Sequence, residues 1–584
     1  MNKFALMHRP KSEYAYAYDK ETLHILFRTA KNDIDQVDIV FGDPFEWVKN
    51  NSKQIVWHHA VKKMYKRYTT QLFDYYFISI KPRNKRVKYA FILHESNAMH
   101  MYGTRLISKI NDLSTLYKQH DLSNFFNFPY IHEMDLHNTP DWVENTIWYQ
   151  IFPDRFHRSY QHGLLPWGKL PVKNHEIYGG DLKGIISKLD YIHDLGCNGI
   201  YFTPIFKSPT AHKYDTTDYF KIDEQFGTLD DLKALVHKAH QLDIKVMLDG
   251  VFNHGGYEHE FFQDILKNQA SSIYKDSFYI NKFPIENAKD YETFAFASQM
   301  PKWRTENKHT ESHLLSVIKY WIDTCDIDGW RLDVSNEISH DFLRKVKNIA
   351  RATKKDIFIL GENMDDASPW LQGDQLDSIM NYDLTYPTWS YFEQKMSLTT
   401  FKDIIETYLA KTPKHVIKNM FNQVGTHDTP RIKTRLNENI DFVKLINIWM
   451  FSTAGTPNIY YGDEIGLSGY QDPDNRRCMI WDKSKQNLDL LSFMKKLIQI
   501  RKDYPALKTS DYHFIDVPVL AYTKKDQNHE ILIILNTQET KEILLPSTYF
   551  STYKNLFTGE IVKIHDKIQI NTGQYLVLLK DGNL

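Results

Sequence analysis

GWRLDV, residues 329–334, places Arg331 and Asp333 two apart at the end of an apolar run. On a strand, where side chains alternate faces, both point the same way. Three further blocks have this form. DGVFNH (249–254) follows IKVML (244–248), LGEN (360–363) carries Glu362 after a run opening at Ile357, and GTHDTP (425–430) carries His427 and Asp428 after FNQV (421–424). Carboxylates at the ends of successive strands read as a site at one mouth of a barrel.

The segments between the blocks carry the helices that such a barrel needs. Thr228 can cap a helix, with Asp231 three residues on, and Leu232, Leu235, Val236 and Ala239 then form one apolar stripe before IKVML. Leu314, Val317, Ile318, Trp321, Ile322 and Cys325 repeat the device before GWRL. From about Trp142 onward, short apolar strands alternate with amphipathic helices, which predicts βα units and a parallel sheet beginning near IWYQIFPDRF (147–156).

The flanks read differently. Leu23, Ile25 and Phe27 alternate, as do Val37, Ile39 and Phe41, and Val87, Tyr89, Phe91 and Leu93, which predicts an N-terminal antiparallel β-sandwich over residues 1–122. EILIILN and QYLVLLK bring alternation back and predict a C-terminal β-sandwich over 505–584. Between them the barrel takes 123–254 and 309–504, interrupted by an aromatic-rich insertion at 255–308 whose periodicity is weak; a loop that long is usually functional. The expected class is therefore α/β, a (β/α)₈ barrel with an inserted small domain after its third strand and a β-sandwich at each end.

Composition narrows the chemistry. Lys plus Arg (72) and Asp plus Glu (73) cancel to a net charge of −1 over 584 residues, so no summed field draws the chain to nucleic acid or an anionic membrane. A neutral, polar substrate fits better. Aromatics are 14% of residues, and most must be core, although flat sugar faces also stack on such rings. No run reaches the ~18 apolar residues of a membrane span, and MNKFALMHRPKSEYAYAYD lacks the pattern of a secretory signal, so the expectation is a cytoplasmic protein. Cys197, Cys325 and Cys478 are widely spaced and odd in number, which fits reduced core thiols rather than disulfides or zinc ligands.

The four blocks in this order resemble the α-amylase superfamily, glycoside hydrolase family thirteen. HKYDTTDYF (212–220), GWRLDVSNEISH (329–340), DASPWLQGDQLDSIMNY (366–382) and IYYGDEIGLSGYQDPDNRRCMIWD (459–482) look like its cyclomaltodextrinase, neopullulanase and maltogenic amylase subgroup, and HRPKSEYAYAYDKETLHI (8–25) is similar to the opening of that subgroup's carbohydrate-binding, often dimer-building N-terminal domain. The resemblance implies the (β/α)₈ barrel, retaining hydrolysis of α-1,4 bonds in cyclodextrins, pullulan or maltooligosaccharides with some transglycosylation, and a homodimer. An exo-acting α-glucosidase of the same superfamily and a catalytically silent glycan-binding barrel are the alternatives.

Retention needs an attacking carboxylate and a protonated acid about 5–5.5 Å apart. Asp333 is the expected nucleophile, kept ionised by Arg331, and Glu362 the expected acid/base, its proton affinity raised by neighbouring carboxylates. The resemblance assigns Asp428 hydrogen bonds to the reacting sugar. His254, His427 and His212 follow as hydroxyl partners, Tyr214 as a stacking face, and Asp249 as the group that orients Arg331. Asp472 and Arg476 are placed toward the non-reducing side, Asn336 and Glu337 toward the leaving side. Taken singly, Arg331 with Asp333 could be a structural ion pair and His254 a core histidine; the ordered set is what favours catalysis.

Two departures stand out. Met364 occupies the position two past the acid where many relatives have tryptophan, and Trp303 stands where the subgroup usually has leucine, so a ring regained from the opposite wall is expected. The calcium site of some relatives uses a run of Asn and Asp after the first strand. FPDRFHRSYQHGLLPWG (152–168) offers only Asp154, with Asp181 later, against the six to eight oxygens that calcium takes; the expectation is no cofactor, with calcium possible elsewhere.

Overall fold

The computed structural model describes residues 1–111, 122–160, 165–539 and 541–582. The chain divides into two compact units, one of residues 1–138 together with 399–417, the other of residues 139–398 and 418–584. Residues 112–121, beside the sequence-based boundary at Leu122, and residues 161–164, within FPDRFHRSYQHGLLPWG, lie outside the described residues.

In the first unit two antiparallel sheets share one core. One orders Ala15–Ala17, Leu23–Ala30, Phe73–Ile80 and Tyr65–Thr69; the other is built on Gln36–Gly42, Val87–Glu95 and Ala98–Tyr102. The alternating residues read from the sequence supply that core: Leu23, Ile25, Phe27, Val37, Ile39, Tyr89, Phe91 and Leu93 are all buried in it.

The second unit contains the barrel. Its strands are β1 (Trp148–Ile151), β2 (Gly199–Phe202), β3 (Lys245–Gly250), β4 (Gly329–Leu332), β5 (Phe358–Gly361), β6 (Ser378–Ile379), β7 (Phe421–Gln423) and β8 (Thr456–Tyr460). Each pairs in parallel with the next through β6, and β7 pairs with β8. Pairing of β8 with β1 and a parallel bridge from Met380 to Phe421 close the ring. Closure leaves no free edge, and every residue of β1 to β8 except Lys245 at the start of β3 is buried, as a sheet covered on both faces requires.

The helices follow the stripes. α1 (Leu229–Gln241) starts with the capping box of Thr228 and Asp231 and buries Leu232, Leu235, Val236 and Ala239 before β3. α2 (Lys308–Cys325) buries Leu314, Val317, Ile318, Trp321, Ile322 and Cys325 before β4. α3 (Tyr382–Phe392) follows β6. The insertion between β3 and α2 has a short helix, Glu260–Asn268, and irregular chain held by isolated bridges at 278–303, 280–291 and 293–301. Its Phe261, Phe262, Phe278 and Tyr291 are buried. After β8 the chain ends in an antiparallel six-stranded sheet and a two-stranded sheet, packed around Ala521, Leu532, Ile534, Ile543, Ile564 and Leu578.

Candidate active site

Asp249 lies near the end of β3, Asp333 one residue past β4, Glu362 one past β5, and His427 and Asp428 a few residues past β7, so the four blocks emerge at the same end of the barrel. Strand register makes the first contact. Asp249 and Arg331 are paired positions on β3 and β4, and the fully buried guanidinium of Arg331 donates through Nη1 to Asp249 Oδ1 and Oδ2 at 3.1 and 2.9 Å and to Asp333 Oδ1 at 2.9 Å. Nη2 lies 2.8 Å from Glu362 Oε2. That approach is a charge contact and not an aligned hydrogen bond, since Nη2 has no partner by geometry.

Arg331 is not a private counter-ion for Asp333: one positive charge serves Asp249, Asp333 and Glu362. Burial pushes the Asp333 carboxyl well above its ordinary range, Arg331 opposing and Glu362, Asp249 and Asp428 adding to the rise. Burial likewise takes Asp249 up to about 6 against the pull of Arg331 and of the Tyr201 hydroxyl, which donates to Oδ2 at 2.8 Å. Carboxyls this close titrate as a group, and the group favours keeping a proton.

Asp428 joins through the other wall. The Tyr214 hydroxyl bonds both Asp249 Oδ2 (3.1 Å) and His427 Nε2, and His427 Nε2 lies 3.1 Å from Asp428 Oδ2. Gln150, the third residue of β1, donates to His427 Nδ1 at 2.7 Å, which puts the ring proton on Nε2, toward Tyr214 and Asp428. Burial, with Arg476 and Arg331 nearby, holds His427 well below the usual histidine range, so it is neutral. Arg476 donates to the His427 carbonyl (2.9 Å) and to Asp428 (3.2 Å) and pairs with Asp472 (3.0 Å). Its donors thus fasten Asp428 and Asp472, whose carboxylates remain 36% and 40% exposed and open to a ligand.

His254 is buried, pushed down to about 3 by that burial, and stacks on Phe294 with centroids 5.0 Å apart. Its Nε2 has no partner and sits 3.9 Å from Asp333 Oδ2. His212 Nδ1 accepts from the Tyr214 amide at 3.1 Å, and burial brings this ring down to about 4. Asn336 and Glu337 line a cavity of about 230 Å³ with Asn253, Tyr279 and Lys302. Lys302 bonds Asn253 Oδ1 (2.6 Å) and Glu337 (2.8 Å), tying the insertion to the turn after β4.

Trp303 differs from expectation. It is 2% exposed, stacks on Phe278 at 3.9 Å and donates to the Tyr219 hydroxyl at 3.1 Å, so its ring is core and unavailable to sugar. The exposed ring beside Met364 comes instead from α3: Tyr386, 44% exposed, places its hydroxyl 3.7 Å from the Met364 sulfur. Sequence reading missed Tyr386, Gln150, Tyr201 and Lys302. Gln150 and Tyr201 could have been found, as polar groups inside the apolar runs of β1 and β2.

Residues 1–132 match the N-terminal immunoglobulin-like domain of α-amylases, and residues 150–510 match the α-amylase catalytic domain. The chain belongs to the α-amylase family. Among its relatives in that family, a cyclomaltodextrinase of Geobacillus thermopakistaniensis is 44% identical over 96% of each chain. An intracellular maltogenic amylase of Bacillus subtilis is 38% identical over 99% of each. A solved structure described as a cyclomaltodextrinase superposes over the whole of both chains with a TM-score of 0.91 at 35% identity. This α-amylase family chain therefore has relatives that match it end to end, sandwich, barrel and C-terminal sheets included.

Proposed function

We propose that the protein is a retaining α-glucan hydrolase that cuts α-1,4 bonds in cyclodextrins, pullulan and maltooligosaccharides, with some transglycosylation. The observation that carries the reading is the convergence of Asp333 and Glu362 on one buried guanidinium, with Asp428 reached from Asp249 through Tyr214 and His427. In this mechanism Asp333 attacks the anomeric carbon and Glu362 protonates the leaving oxygen. Water or a second sugar then takes the glycosyl group, with Glu362 as base. Asp428 bonds the hydroxyls of the reacting sugar more strongly as the ring flattens. The unpartnered Nε2 of His254 and the Nε2–H of His427 bind hydroxyls of the same sugar. Asp472 extends the site on the non-reducing side, and Asn336 and Glu337 line the leaving side. Incubation with β-cyclodextrin, pullulan and starch in parallel tests this; if neither maltose nor panose appears from any of them, the reading is wrong.

The domain reading accompanies this proposal: a sandwich, a barrel with an inserted small domain, and a C-terminal sandwich acting as one enzyme. Residence in the cytoplasm is supported by a relative named as intracellular and by three buried free cysteines. A homodimer is supported by exposed apolar side chains on the first unit, among them Phe45, Ile55, Tyr65 and Leu72, and is read directly as solution mass.

Among the described residues, those after β1 do not fit calcium. Asp154 accepts N–H groups of Tyr178 at both oxygens, of Gly179 (2.8 Å) and of Gln225, and pairs with Arg155. Asp181 caps a helix at Gly184 and accepts from Ser159. Donors thus point at the oxygens a cation would need. Treatment with chelator is expected to leave activity and melting temperature unchanged; inactivation would overturn this.

Tyr386 supplies the leaving-side ring that Met364 lacks. Removing it as Tyr386→Ala is expected to raise KM for linear maltooligosaccharides by roughly 2- to 10-fold, the worth of one stacking contact, with the melting temperature kept. An unchanged KM would remove Tyr386 from the site.

A further inference from the structure

Val334, the residue after Asp333, has φ 46° and ψ 41°, the left-handed region. Among the described residues, every other non-glycine residue at positive φ is Lys, Asn, Asp, Gln, Glu or Ala. A β-branched residue there is a genuine outlier, because its branched Cβ crowds the following carbonyl, and such conformations persist only where the surroundings enforce them. Here the conformation ends β4 and turns the chain into Ser335–Glu337, so that the Val334 N–H can meet Glu362 Oε2, 3.0 Å away, while Ser335 meets the same residue. The same segment grips Glu362 elsewhere. Its N–H donates to the Leu332 carbonyl (3.0 Å), and its carbonyl accepts from the Ser335 N–H (3.1 Å) and hydroxyl (3.0 Å).

We propose that Val334 is a positioning residue: its left-handed backbone is maintained so that its N–H holds the Glu362 carboxyl toward the scissile bond. The proposal rests on the assignment of Glu362 as the acid/base. The N–H is the aligned donor to Oε2, since the Arg331 contact to that atom is not a formed hydrogen bond. A donor to the carboxylate favours the anion, so removing it makes the acid hold its proton to higher pH. The other charged or titratable groups facing Glu362 are Arg331 and Asp333 from the end of β4, Asp249 from β3, Tyr201 from β2, Tyr382 and Tyr386 from α3, and His427 after β7. None of them is altered by a change confined to the 334 amide.

The test replaces Val334 by its α-hydroxy acid through nonsense suppression, which turns the 333–334 amide into an ester and exchanges the N–H donor for an oxygen while leaving every side chain in place. The alkaline limb of the kcat profile is expected to rise by about one pH unit, the worth of one charge-assisted hydrogen bond, with KM unchanged. A companion Val334→Gly, which adopts the same φ freely and keeps the N–H, is expected to retain the wild-type limb, with kcat within about threefold and no loss of melting temperature. An unmoved limb in the ester, or a collapse of kcat in the glycine variant without a limb shift, would overturn the proposal. The carboxyl C=O infrared band, assigned by subtraction of Glu362→Gln, reports the same shift without turnover. Absence of glucan cleavage by the wild type would therefore sink the functional reading alone.

Discussion

Asp333→Asn is expected to lower kcat on β-cyclodextrin by roughly 10⁴-fold or more, about 5.5 kcal/mol of lost transition-state stabilisation, while glucan binding persists. The amide cannot attack the anomeric carbon, yet its oxygen can still accept from Arg331 Nη1, now 2.9 Å from Asp333 Oδ1. Binding measured by calorimetry beside turnover separates an enzyme from a silent glycan-binding barrel; equal behaviour of variant and wild type in both assays would leave only the silent protein.

Stability should move the other way. A carboxyl whose folded pKa is raised helps the fold fully below its unfolded value near 3.8 and loses that help as pH rises through the folded value. At neutral pH the wild type thus bears the cost of a crowded, buried Asp333, and the asparagine does not. The variant should melt at or above the wild-type temperature, with the gap widening from about pH 4 toward pH 8. A variant that melts lower at pH 8 would show that the Arg331 pair outweighs burial there.

The barrel was legible because its signals are local and periodic. The stripe over Leu232, Leu235, Val236 and Ala239 and the strand-end blocks each constrain a few neighbouring residues, and they recur as α1 and as β3, β4, β5 and β7. The meeting of Arg331 with Asp249 was legible too, once parallel register made them partners. What escaped was set by tertiary geometry. Nothing in the string says that Arg331 Nη2 turns to Glu362, that Val334 adopts positive φ, or that Trp303 goes inward against Phe278 while Tyr386, 22 residues beyond Met364, lies over that methionine. The sharing of Arg331 among three carboxyls escaped for the same reason. Two residues of spacing name the cation but not how many anions share it, nor how little water remains.

That sharing makes Arg331→Met the variant with the largest expected effect on stability. Methionine fills much of the buried stem but leaves Asp249, Asp333 and Glu362 around an apolar group, and removing one member of a buried ion cluster costs about 3–5 kcal/mol. The remaining donors are too few: Asp249 keeps the Tyr201 and Tyr214 hydroxyls and Glu362 keeps the Val334 N–H. Without the cation the carboxyls retain protons to higher pH, so the loss is limited at acidic pH, where the cluster is neutral, and greatest at alkaline pH, where each must ionise. Thermal midpoints at pH 5 and pH 8 should therefore show a deficit that grows with pH, together with loss of glucan cleavage, because the proton then stays on the carboxyl that must attack. Arg331→Lys should recover part of the alkaline stability and little activity, since one ammonium cannot span the three carboxylates that a planar guanidinium reaches. A deficit that instead grew toward pH 5, or full activity in the lysine variant, would mean that Arg331 is packing and not the charge on which the site is built.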